Sequence, residues 1–169
     1  SYEAQVIGLD QRFPRGISFR EYFMQGKHLR AALTLLTAQT LGGRPEDVML
    51  AACGVEMLHQ STLLHDDVLD KDERRRDDPA AWVVNKIGRT ILAGDAGFAA
   101  AMNLIANFGP QAIKVGTETL QLIAEGVVAE VMGKQFVDEP AYIKIAKLKT
   151  STLFACACSI GAIGTNARY

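Results

Sequence analysis

Apolar side chains recur at helical spacing through most of the chain, and no segment has the pattern of a strand. Long stretches rich in Ala, Leu, Met and Glu follow the period of an α-helix, whereas β-branched runs with a period of two are absent. Proline and glycine pairs punctuate these stretches. The pattern predicts an all-α protein with helices over about residues 19–41, 45–70, 88–107, 111–132 and 142–163.

Nearly every predicted helix is more apolar than a surface helix needs to be, which indicates packing on several sides. Such helices need an enclosing bundle or a partner subunit. The chain has 169 residues, 49% of them hydrophobic, which is enough for one domain with a buried core. The apolar run over residues 153–164 is shorter than the roughly 20 residues of a membrane span, so we expect a buried helix there and no transmembrane segment.

Charge and cysteine content narrow the functional classes. A net charge of −1 gives no general attraction to nucleic acid or to acidic membranes, so anion binding must come from local clusters. Cys53, Cys156 and Cys158 are odd in number and lie among apolar or small residues, as reduced and packed thiols do. The first residues lack the pattern of a signal peptide. We therefore expect a cytoplasmic protein that does not bind nucleic acid.

Three carboxylates lie within five residues of an otherwise apolar segment: Asp66, Asp67 and Asp70. Their mutual repulsion on a helix has no purpose in folding, whereas a bound cation would explain it. A solvated acidic helix end is the plainer alternative. At 100° per residue, Asp66 and Asp70 share a stripe with His59, and Asp67 is turned about 100° away. Oxygen ligands without cysteine favour Mg²⁺, which prefers to share its coordination with substrate phosphates.

Basic residues near the carboxylates could hold such a phosphate group. Arg74, Arg75 and Arg76 follow one to two turns beyond Asp70 and could grip phosphate oxygens, although an arginine run is more often a solvated face. Lys27 and Arg30 would share another helix face.

In combination these residues resemble the trans-isoprenyl diphosphate synthases, the polyprenyl synthase family. The resemblance spans about residues 19–167, and its motifs occur in the family's order. They are Gly26-Lys27-His28-Leu29-Arg30 with Ala31 where proline is usual, Glu56-Met57-Leu58-His59 leading into Leu64-His65-Asp66-Asp67-Val68-Leu69-Asp70, the pair Arg75-Arg76, and Lys149-Thr150.

The resemblance implies an isoprenoid synthase-type helical bundle that condenses isopentenyl diphosphate with an allylic diphosphate and releases pyrophosphate. It implies that Mg²⁺ is held by Asp66, Asp67 and Asp70. It also implies that the allylic diphosphate contacts Arg75, Lys149 and Thr150. Isopentenyl diphosphate would be bound by Lys27, Arg30, His59 and Arg76. A homodimer is also expected from the family.

Product length in this family depends on the side chains four and five residues before the first aspartate. Here these are Thr62 and Ser61, which are small, so we expect a linear product of C20 or longer. Met57, Leu58 or Phe98 could set the floor of the tunnel instead.

The chain departs from the family pattern in several places. It stops at Tyr169, before the second aspartate-rich motif, so we expect residues 1–169 to form a single partial polyprenyl synthase domain. Asp77 replaces the glycine expected after the arginine pair. The segment that begins at Gly126 and ends at Glu130 lacks the usual Gly-Glu-x-x-Gln pattern.

Three other functions compete with the synthase. A class I terpene cyclase would share the fold and one aspartate motif, but would not need Lys27, Arg30 and His59 for a second diphosphate. A non-catalytic or partner-dependent subunit of a heteromeric prenyl synthase stays open because the second motif is missing. An HD-type phosphohydrolase, indicated by His65-Asp66, would need more histidine ligands than the chain offers.

Overall fold

The protein is an all-α bundle, as the pattern of apolar residues predicts. The computed structural model describes residues 1–12, 18–133 and 138–165. In that part of the chain the regular α-helices are α1 (Tyr2–Arg12), α2 (Phe19–Phe23), α3 (Leu29–Thr40), α4 (Met49–Asp70), α5 (Ala81–Asn85), α6 (Ile87–Ala106), α7 (Pro110–Gly133), α8 (Glu139–Ala146) and α9 (Thr152–Gly164). A 3₁₀ turn (Pro45–Val48) leads into α4, and a π-helical segment (Lys147–Ser151) joins α8 to α9.

Helix α4 is the central element and carries the acidic motif at its C-terminal end. It packs against α3, α6 and α9, and every residue from 51 to 58 is buried. Gly54 permits a close approach of the two backbones, because a Cβ there would lie 2.9 Å from the carbonyl oxygen of Ala101 on α6. The mainly apolar first half of α4 is therefore buried here because it has neighbours on several sides.

The predicted helix over residues 19–41 is in fact two helices separated by a loop. Gly26 has a φ of +96°, and His28, which precedes α3, has a φ of +48°. A Cβ at Gly26 would lie 2.7 Å from the guanidinium of Arg76, so glycine is needed both for the backbone conformation and for this close approach. The glycine was predicted to lie on the helix or at a break in it, and it lies at the break.

The three arginines do not continue helix α4. The helix ends at Asp70, as predicted, and Lys71 follows in the left-handed conformation. A short antiparallel hairpin then pairs β1 (Arg74–Arg75) with β2 (Asp78–Pro79). Arg76 and Asp77 form its turn with φ values of +52° and +69°, as a turn of the primed type requires. This explains why glycine suits position 77 and why aspartate is an acceptable substitute.

The C-terminal helical region begins a few residues earlier than predicted. The polar connection predicted through residues 138–140 is wrong, because α8 begins at Glu139 and Asp138 caps it by accepting a hydrogen bond from Ala141 N at 2.9 Å. The predicted helix over 142–163 continues through the π-helical segment into α9. The pattern also gave no indication of α1 or α5. Residues 166 and 167, at the end of the resemblance, lie outside the described residues.

None of the described helices is both long enough and apolar enough to cross a membrane. All three cysteines are free, as predicted, and two of them are buried.

Candidate active site

The loop between α2 and α3 faces α4 and the hairpin turn across a cavity of about 370 Å³, which we call the cationic pocket. Its wall includes all four residues predicted to bind isopentenyl diphosphate: Lys27, Arg30, His59 and Arg76. They come from four separate segments, since Lys27 lies in the loop, Arg30 on α3, His59 on α4 and Arg76 in the hairpin turn. The fold thus brings together residues that are up to 49 positions apart in sequence.

The positive charge of the cationic pocket is only partly neutralised by the protein, through one buried carboxylate. Burial, helped by nearby Arg30 and Arg76, lowers the pKa of His59 to about 3, so its imidazole is neutral at physiological pH. Burial also lowers the pKa of Arg30. The guanidinium of Arg30 packs over the ring of Phe154 at 4.5 Å, and its buried Nε has no hydrogen-bond partner. An anion in the pocket would supply that partner.

One buried acid stands beside these cations. Glu56 is 1% exposed and lines the cationic pocket, where its carboxylate accepts hydrogen bonds from the amide of Ala31 and from Gln60. Glu56 was recognised in the sequence as part of a motif, but no role was predicted for it. Its position inside the bundle depends on contacts between α3 and α4, which spacing alone does not show.

Seven residues after His59, towards the C-terminal end of α4, the carboxylate of Asp66 faces the π-helical segment. Its Oδ1 lies 3.8 Å from Nζ of Lys149, which also donates a hydrogen bond to Glu130 at 2.5 Å. Burial raises the pKa of Asp66 even though Lys149 acts in the opposite direction. We call Asp66, Asp70, Lys149 and Glu130 the aspartate end. Sequence reasoning missed Glu130 as a partner because it comes from α7.

Asp67 points away from this group, as its angular offset on the helix predicts. It is 2% exposed and forms an ion pair with Arg75, whose Nε donates to it at 2.8 Å. Burial raises the pKa of Asp67 against the effect of Arg75. Arg75 also lies 4.0 Å from Asp72. In this conformation Arg75, predicted to contact the allylic diphosphate, is therefore occupied by the protein's own carboxylates.

The aspartate end offers oxygen ligands for a divalent cation, but not a complete cage. Among residues 1–12, 18–133 and 138–165, no three His, Cys, Asp or Glu side chains are grouped closely enough to hold a metal. Asp66 and Asp70 lie one turn apart near the exposed end of α4. Two carboxylates suit Mg²⁺, which keeps several waters and shares its coordination with substrate phosphates. The donor set thus fits Mg²⁺ bound together with a diphosphate.

An apolar cavity of about 390 Å³ begins beside Asp66 and extends between α4, α6 and α7. Phe98, Leu120 and Ile123 contribute to its wall. Of the two residues predicted to control product length, Thr62 lines this cavity, whereas Ser61 is not part of its wall. Ser61 is fully buried on the side of α4 that faces Gly97 of α6.

The remaining predicted residue, Thr150, is exposed on the π-helical segment directly after Lys149. π-Helical turns are rare and often occur at functional sites. Here the irregularity places Lys149 between Asp66 and Glu130.

Known proteins resemble this chain over most of its length. A protein-family model described as polyprenyl synthetase matches residues 17–169. Geranylgeranyl diphosphate synthase of Mycobacterium tuberculosis is 35% identical over 151 residues, which cover 84% of this chain and 43% of that protein. Geranylfarnesyl diphosphate synthase of Aeropyrum pernix is 36% identical over 155 residues, covering 84% of this chain and 49% of that protein.

A solved structure agrees with the observed fold. The crystal structure of polyprenyl synthase from Caulobacter crescentus CB15, complexed with calcium and isoprenyl diphosphate, superposes with a TM-score of 0.85 at 26% identity. The match covers 99% of this chain and 57% of that one. The chain spans less than half the length of the two curated relatives described above.

Proposed function

The chain belongs to the polyprenyl synthetase family, and on that premise we propose that the protein is a trans-prenyltransferase. It condenses isopentenyl diphosphate with an allylic diphosphate, releases pyrophosphate and yields a linear polyprenyl diphosphate. The catalytic role belongs to Asp66, Asp67, Asp70 and Lys149.

The observation that carries this proposal is the presence of two different charged sites beside one helix, one lined mainly by cations and the other by carboxylates that suit a divalent cation. The cationic pocket lies beside His59, and the aspartate end with its apolar cavity lies beside Asp66. A condensation needs two diphosphates and space for one growing hydrocarbon chain. A terpene cyclase binds one diphosphate and would leave the cationic pocket without a purpose.

At the cationic pocket, isopentenyl diphosphate is bound without a metal. Lys27, Arg30 and Arg76 pair with its phosphate oxygens, and the unpartnered Nε of Arg30 donates one hydrogen bond. The neutral imidazole of His59 donates another hydrogen bond and adds no charge. These contacts hold the substrate so that its double bond faces the other site.

At the aspartate end, the allylic diphosphate is held with its hydrocarbon chain in the apolar cavity. Asp66 and Asp70 would hold Mg²⁺, and Asp67 would join them once it is released from Arg75. The cation would supply positive charge to neutralise the leaving pyrophosphate. Lys149 and Thr150 contact the same diphosphate, and Lys149 can do so by moving from Glu130. Arg75 joins them when it is released from Asp67. Fixed positive charge there stabilises the pyrophosphate as the allylic C–O bond breaks.

The two substrates then form one new carbon–carbon bond. The double bond of isopentenyl diphosphate attacks the allylic carbon as pyrophosphate leaves, and the product loses a proton to the departing pyrophosphate. The apolar wall of the cavity keeps water from the cationic carbon. Thr62 is small and leaves the cavity open, which supports a product of C20 or longer.

We also propose the cellular context and assembly. Three free cysteines support a cytoplasmic location. Exposed apolar side chains on α6, among them Ile91 and Leu92, support a homodimer. Residues 1–169 form one partial synthase domain, since the curated relatives are about twice as long.

A product assay tests the proposed function. The full-length protein is incubated with Mg²⁺, labelled isopentenyl diphosphate and farnesyl diphosphate, and the products are separated by length after phosphatase treatment. We expect label in prenyl alcohols of C20 or longer. A cyclic hydrocarbon formed from farnesyl diphosphate alone would instead show a cyclase, and no turnover without a second protein would show a partner-dependent subunit.

A further inference from the structure

Glu56 is a deeply buried carboxylate beside the cationic pocket, and its hydrogen-bond donors come from the first turn of α3 and from α4 itself. It lies on α4 three residues before His59 and is 1% exposed. A buried charge of this kind is tolerated only where several donors compensate for its lost hydration. The identity of those donors therefore indicates what the charge does.

The carboxylate joins α4 to the loop that carries Lys27. Oε2 accepts a hydrogen bond from the amide of Ala31 at 3.1 Å, and Oε1 accepts one from the side chain of Gln60 at 3.1 Å. The same Gln60 amide group donates to the carbonyl of Gln25 at 3.3 Å. Nδ1 of His28 lies 3.6 Å from Oε1. Glu56 thus contacts the loop directly at His28 and through Gln60 at Gln25.

The hydrogen bond from the amide of Ala31 to Glu56 caps the N-terminal end of α3. Ala31 is the third residue of that helix, so its amide has no acceptor within the helix. His28 stands at the N-cap position but its side chain makes no capping bond. The carboxylate of Glu56, from another helix, takes that place, and its negative charge also suits the positive end of the helix dipole. Arg30 lies in this same first turn.

Ala31 itself is a departure from the family motif, in which proline is usual. Proline has no amide hydrogen and could not donate to Glu56. The alanine in this chain therefore makes possible a bond that the usual residue cannot form.

We propose that Glu56 is a positioning residue for isopentenyl diphosphate. It fixes the first turn of α3 through Ala31 and the preceding loop through Gln60. The carboxylate itself does not touch substrate. It holds the backbone of Lys27 and Arg30 so that both side chains face one diphosphate. The proposal rests on the proposed function of the cationic pocket.

The test compares the substrate dependence of four single variants and one double variant of the full-length protein with that of the wild type. Glu56→Met removes the acceptor, Glu56→Gln keeps one oxygen for Ala31, and Ala31→Pro removes the donor alone. Thr90→Val is the matched control, because Thr90 is a buried polar residue of α6 whose hydroxyl donates only to the carbonyl of Lys86. Each protein is measured for the KM of both substrates, for kcat and for Tm.

We expect Glu56→Met to raise the KM for isopentenyl diphosphate about 10-fold to 30-fold, with the KM for the allylic diphosphate unchanged. Glu56→Gln should recover most of that loss, because it still accepts from Ala31. Ala31→Pro should raise the same KM about threefold and should add little in the Glu56→Met background, since both changes remove the hydrogen bond between Ala31 and Glu56. Thr90→Val should leave both KM values unchanged.

Equal changes in both KM values, or a lower Tm with no KM change, would overturn the proposal, because either result describes a purely structural residue. If Glu56→Met does not fold, Ala31→Pro and Glu56→Gln give the same comparison. Calorimetric measurement of isopentenyl diphosphate binding, without an allylic substrate, separates the role of Glu56 from the proposed condensation activity. If wild type binds it but forms no product, the condensation activity fails while the role of Glu56 is still measured.

Discussion

The cationic pocket and the aspartate end both bring charged side chains together beside α4, but the charges are paired within the protein to different degrees. In the cationic pocket, Lys27 and Arg76 are exposed and Arg30 has an unpartnered donor. At the aspartate end, Lys149 is already paired with Glu130 and lies close to Asp66.

The difference shows what each region needs from its ligand. An open group of cations can take a diphosphate directly, with little rearrangement of the protein. Paired charges must exchange partners, and a divalent cation would allow this exchange because it takes over Asp66 and frees Lys149 for phosphate. The cationic pocket is thus ready for an anion, whereas the aspartate end is ready for a cation and an anion together.

The largest effect should come from Asp66→Asn in the full-length protein. Loss of this carboxylate removes one cation ligand and should lower kcat by about 1000-fold, while binding of isopentenyl diphosphate at the cationic pocket stays unchanged. Steady-state turnover and calorimetry measure the two quantities. The control is Glu118→Gln, an exposed acid on α7 that pairs only with Lys114. Comparable loss of both functions in Asp66→Asn would mean that the two regions are not separate.

The next largest effects should come from substitutions at Thr62 and Ser61, which we expect to change different properties of the protein. Thr62→Phe fills the apolar cavity and should shorten the products with little change in Tm. Ser61→Phe forces a ring between α4 and α6, where Ser61 is fully buried, and should destabilise the protein by about 2 kcal/mol. Product analysis and thermal unfolding distinguish the two changes. Shorter products from a stable Ser61→Phe protein would show that position 61 also faces the growing chain.

The sequence predicted much of this arrangement, and the reason differs between the two regions. Most residues that line the cationic pocket were predicted, from the motif over residues 26–30 together with His59 and Arg76. The helical angle predicted that Asp67 would point away from the face that carries Asp66 and Asp70, and in the structure Asp67 forms an ion pair with Arg75. The end of α4 at Asp70 was also predicted correctly.

What the sequence did not reveal depends on contacts between distant elements. Glu56 and Glu130 gain their significance only when α3 meets α4 and when α7 meets the π-helical segment. The break before α3 depends on the approach of Arg76 to Gly26, 50 residues away, and no local propensity encodes it. Thr62 lines the apolar cavity and Ser61 does not, because of how α4 is rotated against α6.

The smallest predicted effect concerns His59 and pH. Its pKa falls from an ordinary value near 6.5 to about 3 in the folded protein. Below pH 6.5 the unfolded chain therefore binds a proton that the folded chain does not, so stability should fall as the pH decreases towards 3. His59→Gln lacks this contribution, while the raised pKa values of Asp66 and Asp67 act equally in both proteins.

We expect the free energy of unfolding of wild type to fall by about 1 kcal/mol more than that of His59→Gln between pH 7 and about pH 5.7. Urea denaturation at each pH measures it. Parallel pH profiles for the two proteins would show that His59 is not shielded from protons in the folded state.

The central claim is that α4 separates a metal-independent diphosphate site from a metal-dependent one. Calorimetric titration of the full-length protein with isopentenyl diphosphate and with farnesyl diphosphate, each with Mg²⁺ and with excess chelator, tests this most directly. We predict that isopentenyl diphosphate binds with similar affinity in both conditions, and that farnesyl diphosphate loses most of its affinity when Mg²⁺ is removed. The same metal dependence for both ligands would contradict the account.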